Sequence, residues 1–421
     1  MRFVLVVADS LRADVCGFAG GPAQTPTLDS LVNRGAIAER VYSSSPWTLP
    51  SLAAMFTGCW GHRVGLVNWL QPWPQTPQNL FRVFARSGWS VGSYVFNTRY
   101  LFTGLPESGV SGTSLNRDRL FKQLEQSLAN SGNSFTFIHY WGTHVPYVSG
   151  DMDIGTWKRL ADGVLGVLGA GPEMRDKVRS MYTLAVESFS EQWLPGLLRV
   201  LESGPGMEET LLIITSDHGE TWGERLGPGE RVRGVFDLHG NHLFEEGLRV
   251  PLVVVGCGVG KGVRVGGMAR TVDLAPTLLE WAGLSPLEGA DGESLAAVLK
   301  EGGVAKGAVA VAAMNRSGPE LAMEGKSTPD VARVWHRFAA IRGKSKWLLP
   351  SDGGSGLSFD LSADPGEVDG RELTGPDLAE ARAWLANELG RGRCLELPAT
   401  LFREAEELAA RAAAEVLRSR P

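Results

Sequence analysis

The sequence predicts an α/β architecture with a mostly parallel central sheet flanked by helices, and three observations predict it. Short apolar, β-branched runs recur over the first 300 residues, at Phe3–Ala8, Ser90–Phe96, Phe135–Ile138, Leu211–Thr215 and Val250–Gly256. Helical patterns separate them, at Leu80–Ser87, Arg117–Ser131 and Trp157–Leu201, the alternation expected of strands joined by crossover helices. Polar, metal-capable residues stand where the strands stop: Asp9, Asn97, His139 and Ser216-Asp217-His218. In open α/β sheets ligands sit beyond the carboxyl ends of the strands, so four such ends are read as one site rather than as four unrelated turns.

Phe3–Ala8 is continuously apolar, as in a strand covered on both faces. It is one strand long and Asp9 ends it, which is too short for the apolar region of a signal peptide. A helix is expected after Gly20-Gly21-Pro22, with Thr25-Pro26-Thr27-Leu28-Asp29 leading into Leu31 and Val32. The stretch from Ser43 to Gly58 reads as a loop that turns into a short helix, because Pro50 suits a first turn and Leu52 to Phe56 continue it. Thr48 then sits just before a helix N-terminus, where a hydroxyl is either a cap or a nucleophile at an anion site. The stretch by itself favours the cap.

After Glu301-Gly302-Gly303 the pattern changes. Short strands are expected at Val309–Ala313, Phe338–Arg342 and Lys346–Leu349, a loop at Gly353–Gly356, and helices at Leu378–Leu389 and Leu401–Leu417. This divides the chain into a main domain over 1–300 and a smaller C-terminal α+β subdomain over 301–421 packed on it. A net charge of −6 argues against a nucleic-acid surface or a general attraction to acidic membranes. No run is long and apolar enough to span a membrane. Cys16, Cys59, Cys257 and Cys394 lack paired metal spacing and are expected as reduced, packed thiols, so a cytoplasmic protein is expected.

Asp9, Thr48, Asp217 and His218 combine two hard carboxylates, an imidazole and a hydroxyl, a set suited to one divalent ion. Such an ion lowers the pKa of the threonine hydroxyl, which is otherwise a poor nucleophile at neutral pH. Zinc or manganese is favoured because of His218, and calcium is admitted.

These residues carry a family resemblance. The matching motifs include Val-Ala-Asp-Ser-Leu-Arg-Ala-Asp at 7–14, Thr-Pro-Thr-Leu-Asp-Ser-Leu at 25–31 and Trp-Thr-Leu-Pro-Ser at 47–51. They continue with His144-Val145-Pro146-Tyr147, Thr-Ser-Asp-His-Gly-Glu at 215–220, His239-Gly240, Phe-Glu-Glu at 244–246 and Val-Asp-Leu-Ala-Pro-Thr-Leu-Leu at 272–279. In this order the chain resembles the sulfatase branch of the alkaline phosphatase superfamily over most of its length. The resemblance implies an alkaline-phosphatase-like fold, with Asp9, Asp217 and His218 as metal ligands and Thr48 as nucleophile. It also implies that His144 and His239 contact the anionic group or the leaving oxygen.

The departures shape the functional expectation. Sulfatases carry C-x-P-S-R, or a Ser version, whose first residue becomes formylglycine; here that residue is Thr48 and the arginine is Leu52. Threonine does not give that aldehyde, and its presence resembles the phosphodiesterases and phosphotransferases that form a phospho-threonine. Two-metal members place an Asp four residues before the histidine; counting back from His144 gives Tyr140, so one ion is expected. The reading is therefore a metal-dependent hydrolase of a small anionic phosphate ester, a phosphodiester or phosphonate ester. The alternatives are a phosphotransferase to an alcohol, a sulfate-ester hydrolase without formylglycine, or an inactive binding protein. Asn97, Arg99, His139 and His242 are candidate substrate contacts, His139 and His242 being weighed equally as structural histidines. His62 and His336 are expected to be structural, Arg12 and Asp14 to pair, Glu220 to support the neighbouring ligand, and Trp47, Trp60, Trp69 and Trp73 to pack in the core.

Overall fold

The computed structural model describes residues 1–66, 78–95, 110–112, 117–129, 132–148, 154–170, 174–204, 206–225, 238–240, 242–307, 309–316, 335–350 and 355–390. Asn97, Arg99, Trp69, Trp73, Cys394, the expected loop at 353–354 and the expected helix at 401–417 lie outside the described residues.

The large sheet is built from β1 (Arg2–Ala8), β2 (Ala36–Ala38), β3 (Val41–Tyr42), β4 (Ser90–Tyr94), β5 (Val110–Gly112), β6 (Ser134–Tyr140), β7 (Thr210–Thr215), β8 (Arg249–Val250), β9 (Leu252–Gly256), β10 (Val263–Arg270) and β11 (Gly303–Lys306). Its order is β5-β4-β6-β1-β7-β9-β2-β10-β3-β8, with β11 on β10. The pairs around β1 and β10 are parallel, and antiparallel pairing is confined to β9 and β8 with their neighbours. The α/β expectation therefore holds.

All seven residues of β1 are buried, and its alternation sorts them between two cores. Phe3, Leu5 and Val7 pack with Phe135, Phe137, Leu211 and Ile213 on one face. That face is covered by Leu52, Met55 and Phe56 of the helix Thr48–Thr57, here α2, which follows α1 (Pro26–Arg34). Val4, Val6 and Ala8 pack on the other face with Leu28, Leu31, Tyr182 and Phe189. In register, Val7 lies opposite both His139 and Thr215. Asp9 and Asp217 thus leave the sheet side by side, each two residues past a paired position, on the alternation that faces α2.

The second sheet is antiparallel, in the order β12 (Val309–Arg316), β13 (Trp335–Arg342), β14 (Ser345–Pro350), β15 (Gly356–Asp360) and β16 (Arg371–Leu373), and the helix Gly375–Gly390 follows it. A third core joins it to the first part of the chain through Ala54, Trp60, Leu248 and Met268 packed with Ala312, Met314, Phe338 and Ile341.

Three expectations are corrected. The helical stretch at 157–201 is three helices, Ile154–Ala170, Arg175–Ser188 and Leu194–Ser203, the last two joined by a π turn at Phe189–Trp193. β10 was not expected, because Gly266 and Gly267 interrupt its apolar pattern; at Gly267, φ is +77° and an added Cβ would lie 2.7 Å from Val304. Cys16 and Cys257 are free thiols, but Cys59 is disulfide-bonded, which removes the support that four reduced cysteines gave to a reducing compartment. Among the described residues no helix is long and apolar enough to cross a membrane.

Candidate active site

The nucleophile candidate departs from its expected position by one residue. Thr48 is the first residue of α2, and Trp47, which precedes the helix, makes no side-chain cap bond. The Thr48 hydroxyl is therefore not a cap. It lies 3.1 Å from His218 Nε2. His218 Nδ1 is committed to the Gly219 carbonyl at 2.8 Å, so in a neutral ring Nε2 carries the lone pair and accepts from Thr48.

Asp9 and Asp217 each have one satisfied oxygen and one bare oxygen. Ser10 Oγ donates to Asp9 Oδ1 at 3.0 Å. The main-chain N–H groups of Ser10 and His218 donate to Asp217 Oδ1 at 3.2 and 3.0 Å. Ser10 reaches both partners from a left-handed conformation, φ +61°, that costs a non-glycine residue energy. Asp9 Oδ2, Asp217 Oδ2 and His139 Nε2 are fully buried and without a hydrogen-bond partner. Yet Nε2 lies 3.3 Å from Asp9 Oδ2 and 3.7 Å from Asp217 Oδ2. His218 Nε2 is 3.7 Å from Asp9 Oδ1 and 3.6 Å from Asp217 Oδ2.

Polar atoms aimed at one point and left unpaired are costly in a protein interior, and this is the geometry a cation relieves. Ligand atoms of Asp9, His139 and Asp217 all lie within 4.8 Å of one another, as a metal site requires. The electrostatics agree: burial, then repulsion from Asp217, pushes the Asp9 carboxyl up to about 7. Burial would raise Asp217 as well, but His218 and His139 hold it below the usual carboxylate range.

The two histidines near the carboxylates differ in tautomer. Trp141 Nε1–H donates to His139 Nδ1 at 3.1 Å, so a neutral His139 carries its proton on Nε2, toward the carboxylates, and in that tautomer it offers them an N–H and an ion no lone pair. His218 presents a lone pair there, which is what a metal needs.

His144 and His239 stand beside this centre. The His239 ring lies 4.8 Å from that of His218 and 5.0 Å from that of His144. His144 Nδ1 is tied to the Val145 carbonyl at 2.7 Å, and His239 Nδ1 to Glu220 Oε1 at 2.9 Å. Burial holds both rings down to about 4, so either takes up a proton only against a nearby negative charge. Burial likewise pushes Glu220 up to about 7.

Several hydrogen bonds that build the site were not expected from the sequence. Ser51 Oγ of α2 donates to the Asp217 carbonyl at 2.6 Å, and Ser43 Oγ lies 2.8 Å from Ser51 Oγ. The nucleophile helix is thereby fastened to the main chain of the Asp217 loop. Thr143 Oγ1 donates to the Asp9 carbonyl at 2.7 Å, and Ser216 Oγ to that of His218 at 2.7 Å. These partners are 134 or more residues apart in all but the Ser43–Ser51 and Ser216–His218 contacts, so no local pattern announces them.

Arg12 and Asp14 pair as expected, at 2.8 Å. Trp47 and Trp60 are buried, and the edge of Trp47 meets His239 with ring centroids 5.5 Å apart. His242 is separate from the charged centre. It lines a cavity of about 250 Å³ with Leu243, Phe244, Phe338 and Leu349, and both its ring nitrogens are buried without a partner. The two nitrogens of His62 are also unpartnered.

The Sulfatase family model matches residues 2–284. Among curated proteins, the low-salt glycan biosynthesis sulfotransferase Agl7 of Haloferax volcanii is 25% identical over 284 residues, covering 66% of this chain and 60% of that protein. The chain thus spans less than two thirds of that relative's length. Among solved structures, the phosphonate monoester hydrolase of Agrobacterium radiobacter superposes with a TM-score of 0.69 at 18% identity, covering 96% of each chain. A 2-O GAG sulfatase superposes with a TM-score of 0.69 at 19% identity, covering 94% of each. At these identities the structures establish the fold alone.

Proposed function

From the premise that this chain belongs to the sulfatase family, we propose that it is a metal-dependent hydrolase of a phosphodiester or phosphonate ester, with Thr48 as nucleophile. The observation that carries the reading is the Thr48 hydroxyl at the head of α2, 3.1 Å from His218 and beside two bare buried carboxylate oxygens. Nothing at that place caps the helix. A threonine where formylglycine formation requires Cys or Ser supports phosphorus rather than sulfur.

Asp9, Asp217 and His218, with Thr48 Oγ1, are the residues that would hold the ion, and the imidazole favours zinc or manganese over calcium. His139 Nε2 stands beside both carboxylates, 3.3 Å from Asp9 Oδ2 and 3.7 Å from Asp217 Oδ2. When bound, a divalent ion supplies positive charge that lowers the hydroxyl pKa of Thr48 and offsets charge on the ester oxygens. The chain's own groups do the rest. Thr48 Oγ1, as the alkoxide left once its hydroxyl proton has passed to solvent, attacks phosphorus in line, the leaving oxygen departs with a proton from His239 or His144, and a phospho-threonine forms. Water then attacks that phosphorus, gives its proton to the same histidine, and Thr48 leaves. The anionic ester itself supplies the negative charge against which a buried histidine becomes protonated.

Thr48→Ala is expected to lower turnover of aryl phosphonate and phosphodiester substrates by on the order of 10⁴-fold, with the fold retained. Thr48→Ser keeps the hydroxyl and part of the activity. Acid-quenched turnover is expected to leave phosphate on the Thr48 peptide. Sulfate esters turned over faster than phosphonates, with a sulfated Thr48 peptide, would move the reading to sulfur.

A further inference from the structure

Besides His139, whose Nδ1 accepts from Trp141, three histidine rings converge on the site, each with its Nδ1 engaged. For His144 and His218 the acceptor is a main-chain carbonyl, Val145 and Gly219 respectively. For His239 it is a carboxylate, Glu220 Oε1 at 2.9 Å, with Glu220 fully buried. We infer that Glu220 is a positioning residue that makes His239, rather than His144, the proton carrier for the leaving group. This rests on the phosphoric-ester reading and deepens it.

Glu220 is held through its side chain and its main chain. Tyr147 O–H donates to its other oxygen at 3.3 Å. Its main-chain N–H donates to the Glu246 carbonyl at 3.1 Å, and its carbonyl accepts from Arg12 Nη1 at 3.0 Å. Gly219 permits that approach, since a Cβ there would lie 1.9 Å from the Glu246 oxygen. The imidazole is held as firmly. Trp47 meets it edge-on, and at Gly240, φ +82°, a Cβ would fall 2.0 Å from the Trp47 ring.

A carboxylate behind Nδ1 fixes the tautomer and stabilises the imidazolium, as a main-chain carbonyl does only weakly. Thr48 enters and leaves the cycle as its alkoxide, so the cycle moves a single proton and His239 carries it. His239 Nε2–H gives its proton to the leaving oxygen as that P–O bond breaks and the Thr48–phosphorus bond forms. Nε2 recovers a proton from the attacking water as the second P–O bond forms and Thr48 departs.

The test compares the 4-nitrophenyl and phenyl esters of phenylphosphonate, whose leaving oxygens differ in their need for a proton. Glu220→Gln keeps the size and removes the charge. It is expected to lower turnover of the phenyl ester by about 10²-fold while changing the nitrophenyl ester by less than about threefold. His239→Ala should show the same selectivity, the double variant should be no worse than His239→Ala, and metal per chain should stay at the wild-type value. Should Glu220→Gln not fold, Glu220→Asp, which keeps the charge and withdraws it by one methylene, is expected to give a smaller loss of the same selectivity. A selective His239→Ala with equal losses on both esters in the Glu220 variant, or with losses that add in the double variant, overturns the pairing and leaves the ester reading standing. A His239→Ala variant without selectivity overturns both the pairing and the assignment of His239 as acid.

Discussion

Two clusters of buried charge are made from the same residue types and differ in what faces their carboxylates. Where the second sheet meets the first, Lys346 is fully buried and lies 3.1 Å from Glu245 and 2.9 Å from Glu367. Arg225 pairs with Glu246 at 2.6 Å and covers the Phe244 ring at 4.0 Å. Each carboxylate there has a cation of the chain's own. At the end of β1, Asp9 and Asp217 have none: one oxygen of each is bare, and the nearest groups are imidazoles. A charge buried with its counter-charge joins two parts of a fold. A charge buried without one stores a cost that a ligand relieves.

The largest expected difference between the clusters comes from removing the cation of the first. Lys346→Met leaves Glu245 and Glu367 facing each other and should destabilise by about 3–5 kcal/mol, read by urea or thermal unfolding. A change below about 1 kcal/mol would show that the network does not join the sheets.

Acid should act next, and with opposite sign on the two clusters. Burial opposes the ionised Glu246, but Arg225 holds it at about 2 against an ordinary 4.5. Its contribution is present above pH 4.5 and is lost as pH falls toward 2, on the order of 3 kcal/mol. Asp9 is raised from 3.8 to about 7, so in metal-free protein its contribution is complete below 3.8 and is lost as pH rises through 7. Unfolding of metal-free protein between pH 2 and 8 should therefore show a stability maximum between these limits. Monotonic stabilisation up to pH 8 would contradict the account of Asp9.

The smallest expected effect sharpens the contrast most. Asp9→Asn removes a charge that lacks a partner, so the metal-free variant should be more stable than metal-free wild type at pH 8, by roughly 1 kcal/mol. The advantage should shrink toward pH 4, where wild-type Asp9 is protonated. A loss of stability at pH 8 would mean that the bare oxygen is paired in solution.

The sequence made much of the second cluster legible. β1, β6 and β7 are largely apolar runs with Asp9 after the first, His139 next to the last residue of the second and Asp217-His218 after the third, and the period-2 pattern places Asp9, His139 and Asp217 on one face. Thr48 stood out because Pro50 starts a helix at a strand-end loop, although its hydroxyl serves His218 and not the helix. What was not legible depends on topology. The Ser51 bond to Asp217, the Thr143 bond to Asp9 and the Glu220–His239 pair join residues that only the folded sheet brings together. The first cluster was not legible for the same reason: Lys346 lies 101 residues from Glu245, and a lone lysine in a short strand reads as an exposed edge. β10 escaped because Gly266 and Gly267, the second required by the approach of β11, break the apolar pattern.

The central claim is that the bare oxygens of Asp9 and Asp217 are a divalent-metal site, and elemental analysis of purified wild-type protein and of Asp217→Ala tests it most directly. The account expects about one zinc or manganese ion per wild-type chain and essentially none in Asp217→Ala, with matching far-UV circular dichroism. Undiminished metal in Asp217→Ala, or wild-type protein that turns over ester with no metal bound, would contradict it.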